Sequence, residues 1–117
     1  MKNNHFLNRL CFAIHGLQAA FKHEKSFRTQ LISAAITLLI FIFLQPSPLW
    51  WALIILMICL VLAAELVNTS LEHLADHLHP EQHPKIKLVK DCAAAAVLIL
   101  SFAALCIGLF AIFSVLK

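Results

Sequence analysis

Glycine occurs only twice in the chain, at Gly16 and Gly108, and no GxxxxGK(S/T) stretch exists. A P-loop is therefore excluded, and any nucleotide must be held by scattered side chains. Charge is also scarce, at 13% of residues, and the net +3 comes with no basic stripe interleaved with aromatics. Nucleic acid is not an expected partner. The four cysteines (Cys11, Cys59, Cys92 and Cys106) are far apart with no CxxC. They read as free thiols, not as a disulfide frame or a zinc site. No secretory signal is expected, because Asn8, Arg9, His15 and Lys22 interrupt the first apolar stretch and no small-residue cleavage site follows.

What fills the chain instead is apolar: 62% hydrophobic residues in 117, with mean hydropathy +0.88. A soluble domain of this size has too little interior for so much apolar surface, so an integral membrane protein is expected. The class is all-α, with a single membrane domain over 1–117. Residues 5–24 place Phe6, Leu7, Leu10, Ile14, Leu17 and Phe21 on one helical face and Asn8, His15 and Lys22 on the other. That pattern predicts an amphipathic helix lying at the membrane surface or packed on the rest of the protein.

Three spans follow. The first is expected over 29–45, its apolar part about 16 residues or ~24 Å, short for a core of ~30 Å. Ser47 and Pro48 make an N-cap and first-turn pair for a second helix over 48–79, with Trp50 and Trp51 in an interfacial belt. Residues 80–90 are expected as a loop and 91–116 as the third span, capped by Asp91. Lys2, Arg9, Lys22, Lys25 and Arg28 lie before the first span, and Lys85, Lys87 and Lys90 between the second and third. The turn at 45–48 has no such charge, so the N-terminus and the 73–91 region are predicted to be cytoplasmic.

The second span ends in ELVNTSLEHLAD, residues 65–76. On a helix Glu65, Asn68, Glu72 and Asp76 share one face with Thr69 beside them. Three carboxylates in a row repel unless a divalent metal, a basic side chain or partial protonation relieves them. Solvation beyond the membrane would account for Asp76. Glu65 is the stronger functional candidate, since it still lies in apolar sequence. The NTS sequon at 68–70 faces the wrong side to be used. His73, His77, His79 and His83 invite a zinc or iron reading, but no HExxH or ExxH accompanies them, and solvated interfacial histidines are expected. Lys90 beside the acids is what a magnesium-bound triphosphate would need; anchoring the third span is its plainer role.

Three stretches resemble the small prokaryotic diacylglycerol kinases, a family that includes the undecaprenol kinases of Gram-positive bacteria. They are GLQAAFKHEKSFR (16–28), ELVNTSLEHLAD (65–76) and HPKIKLVKDCAAAAVLI (83–99). The resemblance covers almost the whole chain. It implies transfer of the γ-phosphoryl of MgATP to the hydroxyl of diacylglycerol, giving phosphatidic acid, at the cytoplasmic face of a bacterial inner membrane, by a homotrimer with shared sites. Glu65 would be the catalytic base, and Glu24 and Glu72 would hold Mg²⁺. ATP would meet Phe12, Glu24, Glu72, Glu81, Gln82, His83, Lys90 and Asp91. The lipid would meet Ser26, Phe27, Arg28, Thr29, Gln30, Glu65 and Ala94, with Asn68 and Asp76 in support. Two departures stand out: Phe12 replaces a tyrosine common in the family, and Arg9 lies closer to Gly16 than its equivalent does. Undecaprenol kinase is the alternative within the same chemistry; a non-catalytic membrane protein and a histidine-built metal binder are alternatives outside it.

Overall fold

A computed structural model describes residues 5–117. It is all-helical: α1 His5–His23, α2 Lys25–Leu44, α3 Pro48–Leu78 and α4 Pro84–Leu116. The last three are long and apolar enough to cross a membrane. α3 packs mainly on α4 and less on α2, while α1 touches α2. Only Ala20 of α1 is buried, and the described residues extend over 53 × 44 × 22 Å. The apolar residues of α1, Phe6, Leu7, Leu10, Ile14, Leu17 and Phe21, are exposed.

The helix boundaries follow from local chemistry. Glu24 breaks the chain between α1 and α2 in an extended conformation, φ −112° and ψ 108°. The Arg28 guanidinium then donates to the carbonyls of Phe21 (2.8 Å) and Lys22 (3.0 Å). Those are orphan acceptors at the end of α1, and a cation suits that pole of the helix. α2 starts at Lys25, four residues before the expected start of the first span, because the polar turn KSFR joins the apolar run without interruption. Its 20 residues reach about 30 Å, of which the part after Arg28 is the same run of about 16 residues expected from sequence.

At the far end Gln45 leaves α2 with φ 52°, in the left-handed region. Its backbone N–H reaches the Phe41 carbonyl and its side-chain amide the Ile42 carbonyl, which satisfies the helix end. Ser47 holds the N-cap position of α3 with Pro48 behind it, but its hydroxyl makes no capping hydrogen bond. Phe41, Ile54 and Ala111 form the buried core here, with Trp50 and Trp51 packed against it. The tryptophans are half-buried against protein, so they do more than line an interface.

The largest departure is at the start of α4. Residues 84–90, expected as loop, are helical, and the N-cap is His83, whose Nδ1 accepts from the Lys85 backbone N–H at 3.1 Å. Pro84 at the first position is pre-set for the helix. Asp91 consequently sits two turns inside α4 and caps nothing; it pairs with Lys87 at 2.6 Å.

Candidate functional site

The polar stripe of α3 runs from the buried Glu65 out towards the end of the helix, and each member meets a different neighbour. Glu65, 4% exposed, and Asn68, 8% exposed, are the buried polar residues among those described. Burial of a carboxylate is costly without donors. Glu65 receives one from Ser26, whose Oγ lies 3.0 Å from Oε1. Asn68 Nδ2 donates to Glu72 Oε1 at 2.8 Å, fixing the carboxylate one turn farther along. The Asn68 Oδ1 atom is buried with no partner among the described residues.

His73 Nε2 meets Glu24 Oε1 at 2.6 Å, tying the α1–α2 break to α3. Glu24 occupies the N-cap position of α2 but makes no capping bond, which leaves its carboxylate to this contact. His73 lies about 37 Å along α3 from Pro48, beyond a hydrocarbon core of ~30 Å. Its pKa is raised above the usual histidine value by the Glu24 hydrogen bond and charge, with Asp76 and Glu72 adding to the pull. Finally Lys90 Nζ on α4 pairs with Asp76 Oδ1. From Glu65 to Asp76 the stripe covers about 16 Å.

Lys90 is also where the stripe meets a cleft. His79, Pro80, Glu81, Gln82, His83, Pro84, Ile86, Lys87 and Lys90 enclose about 590 Å³ around the α3–α4 connection. The histidine tautomers are fixed by their partners. His83 Nδ1 accepts from the Lys85 backbone, so its proton is on Nε2. His79 Nδ1 lies 2.8 Å from the Glu81 carbonyl and must donate to it. The two rings meet edge to face with centroids 5.5 Å apart. The cleft therefore offers two ammonium groups and a histidine N–H, the donor set that suits phosphate oxygens.

A second concavity, about 390 Å³, lies between α2, α3 and α4 within the apolar region. Gln30, Ser33 and Thr37 of α2, Val61 and Leu62 of α3, and Ser101 and Gly108 of α4 are among its walls. Gln30 and Val61 stand one turn from Ser26 and Glu65 respectively, so the groove leads towards that hydrogen bond.

The structure thus gathers Glu81, Gln82, His83 and Lys90 at one cleft, with Asp91 beside it through Lys87. Glu24, Glu72 and Asp76 lie along the stripe that Lys90 joins. Glu72 and Asp76 are exposed, not buried with Glu65, although Ala75 in the same turn is still packed against its neighbours. Of the residues expected to meet lipid, Gln30 lines the groove and Ser26 holds Glu65. Phe27 is buried at 3% exposure in the packing of α2, Arg28 caps α1, and Thr29 returns its hydroxyl to the Lys25 carbonyl. Ala94 is exposed on α4. Phe12 is exposed on α1 and is not among the residues lining the cleft. Sequence reasoning missed the tasks of His73 and Lys87. The i,i+4 spacing from Lys87 to Asp91 was a usable signal; the His73–Glu24 contact left none.

Among the described residues no three His, Cys, Asp or Glu side chains converge on a metal cage. Mg²⁺ seldom uses one; it takes one or two carboxylates and leaves the other positions to phosphate and water. The site fits that habit. Glu24 meets His73 directly, while Glu72 precedes His73 in the chain and Asp76 follows within one turn, so three carboxylates gather about the same turn of α3.

Comparison with known proteins agrees in extent and in kind. Residues 11–112 match the family model for prokaryotic diacylglycerol kinase. A diacylglycerol kinase of Haemophilus influenzae is 34% identical over 103 residues, 88% of this chain and 84% of the relative. An undecaprenol kinase of Bacillus subtilis is 30% identical over 106 residues, 91% and 86%. A diacylglycerol kinase of Helicobacter pylori is 37% identical over 90 residues, 77% and 70%.

Proposed function

The chain belongs to the prokaryotic diacylglycerol kinase family, small multi-pass membrane lipid kinases, and we propose that it phosphorylates diacylglycerol with MgATP to give phosphatidic acid. The observation that carries this reading is the buried Glu65, placed between an apolar groove and a polar stripe that ends at a basic cleft.

The acyl chains lie in the groove and bring the lipid hydroxyl to Glu65. Glu65 takes the hydroxyl proton, the oxygen attacks the γ-phosphorus, the bridging bond to the β-phosphate breaks, and ADP leaves. Lys90 and the His83 Nε2–H hold phosphate oxygens, with Glu81 and Gln82 beside the nucleotide and Asp91 orienting Lys87 across the cleft. For Lys90 this means exchanging Asp76 for phosphate. Glu24 and Glu72 would hold Mg²⁺, which would supply neutralisation of the phosphate charge; Asn68 keeps Glu72 in place, and His73 occupies the Glu24 carboxylate until nucleotide arrives. Phosphoryl transfer asks for positioning and charge neutralisation above all, so this set is sufficient.

The stripe is on the cytoplasmic side in this reading, which is supported by the lysines and arginines before α2 and around the start of α4. Residues 1–117 act as one membrane domain, with α1 on the surface of a bacterial inner membrane. A homotrimer with sites shared between copies is supported by the exposure of Glu72 and Phe12 and by the unpartnered Asn68 Oδ1. Undecaprenol as acceptor is the second reading, favoured by the B. subtilis relative; the H. influenzae and H. pylori relatives favour diacylglycerol. Purified protein in vesicles, given labelled ATP with each lipid separately, tests the choice. Transfer to diacylglycerol, abolished by chelating Mg²⁺, is expected. Label passing to undecaprenol alone would overturn the acceptor assignment.

A further inference from the structure

Hydroxyls in this molecule mostly serve their own helix. Thr29, Ser33, Thr37 and Ser70 each return a hydrogen bond to the carbonyl four residues back, and Ser114 to the one three back. Ser26 is the hydroxyl among the described residues that crosses to another helix, from α2 to Glu65 of α3 at 3.0 Å. The reason is local. The helix breaks at Glu24, and the Lys22 carbonyl, the acceptor four residues back from Ser26, is taken by Arg28. Ser26 is thereby released from its own backbone and free to face α3.

Its effect on Glu65 is geometric. A glutamate carboxylate turns about its last torsion between broad, roughly equivalent orientations. A donor on Oε1 selects one of them and leaves Oε2, which takes no hydrogen bond among the described residues, as the oxygen open to a proton. We propose that Ser26 is a positioning residue that holds Glu65 in the orientation needed to accept the lipid proton. The inference rests on Glu65 being the base. It differs from the lining role that the family resemblance gives the 26–30 segment, because Ser26 acts on the carboxylate and not on the lipid.

The test compares the full-length protein with Ser26→Ala, Ser26→Thr and Glu65→Gln in vesicles containing diacylglycerol. Initial rates are measured against ATP and against lipid, with thermal midpoints recorded alongside. Ser26→Ala should lower kcat roughly 10-fold, the scale of one hydrogen bond to a charged group, with KM for ATP unchanged. The thermal midpoint should fall as well, since a buried carboxylate loses its donor, so rates are taken where every variant is fully folded. Ser26→Thr, which keeps the hydroxyl, should regain most of that kcat. Parental kcat in Ser26→Ala, with Glu65→Gln inactive, would overturn the role of Ser26 while leaving the base intact. Equal losses in the alanine and threonine variants, or a rise in lipid KM in place of a fall in kcat, would show packing or lining and overturn it as well. Parental turnover in Glu65→Gln would remove the premise itself.

Discussion

The two ends of α3 are built by opposite means. Where α3 begins, Ile54 closes with Phe41 and Ala111 into a dry cluster flanked by Trp50 and Trp51. Towards its other end the helix spends its contacts on polar pairs with Ser26, Glu24 and Lys90, most of them exposed. The first end resembles the interior of any packed protein and carries no chemistry. The second also buries Phe27, Asn68 and Ala75. Yet it leaves the Glu65 and Glu72 carboxylates facing neutral donors in place of cations, an arrangement suited to a polyanion that arrives with its own metal ion. One continuous helix lets the packed end fix the axis along which the other end displays its groups.

The contrast can be broken most decisively at Glu65. Glu65→Gln keeps the size and the capacity to accept from Ser26 but removes the base, so transfer should fall by about 10²–10⁴ while the thermal midpoint holds. An active variant would mean that the polar end is structural after all. Lys90 comes next. Lys90→Ala removes the proposed phosphate partner, worth about 1.5–3 kcal/mol, so kcat/KM for ATP should drop roughly 10- to 100-fold. Lys90→Arg should recover part of it, and lipid KM should not move.

How much of this could be read beforehand depends on whether a feature is set within one helix or between helices. The row Glu65, Asn68, Glu72 and Asp76 was legible because helical periodicity alone puts it on one face. The start of α4 was legible in principle: His83–Pro84 repeats the cap-then-proline pattern of Ser47–Pro48, yet the lysine-rich stretch behind it reads as loop. The break at Glu24 had no glycine or proline to announce it, and rests on Arg28 reaching back to α1. The pairs Ser26–Glu65, His73–Glu24 and Asp76–Lys90 depend on how the helices lie against one another, which no spacing within a single segment encodes. Hence the family motifs marked the acids, whereas their partners came from the structure.

At the packed end the expected effect is on stability alone. Phe41 is 2% exposed, and in water truncating such a residue costs ~3–5 kcal/mol. In lipid the transfer contribution largely vanishes, because the surroundings are as apolar as the side chain. What is left is lost packing, on the order of 1–3 kcal/mol. Phe41→Ala should therefore lower the thermal midpoint in detergent, with kcat per folded molecule unchanged. A matching loss of kcat at temperatures where the variant is fully folded would show the two ends to be coupled.

The smallest effect sharpens the comparison by giving the polar end a pH signature that the packed end lacks. Glu24 holds the His73 pKa above the usual value of 6.5, so the folded protein binds a proton there more tightly than the unfolded chain. The resulting stabilisation is fully present below the unfolded value and fades as pH rises through the raised folded one. His73 is exposed, so solvent screens the pair and the effect should be slight. For nucleotide-free protein in low salt, the thermal midpoint should sag a little as pH climbs above 6.5. That component should flatten at high salt and be missing from His73→Gln, while Phe41→Ala, with its acids and histidines untouched, should keep it in full. An identical pH dependence in His73→Gln and the parent would mean that Glu24 gains nothing from His73 in the resting protein, and that the α1–α2 break is held by Arg28 alone.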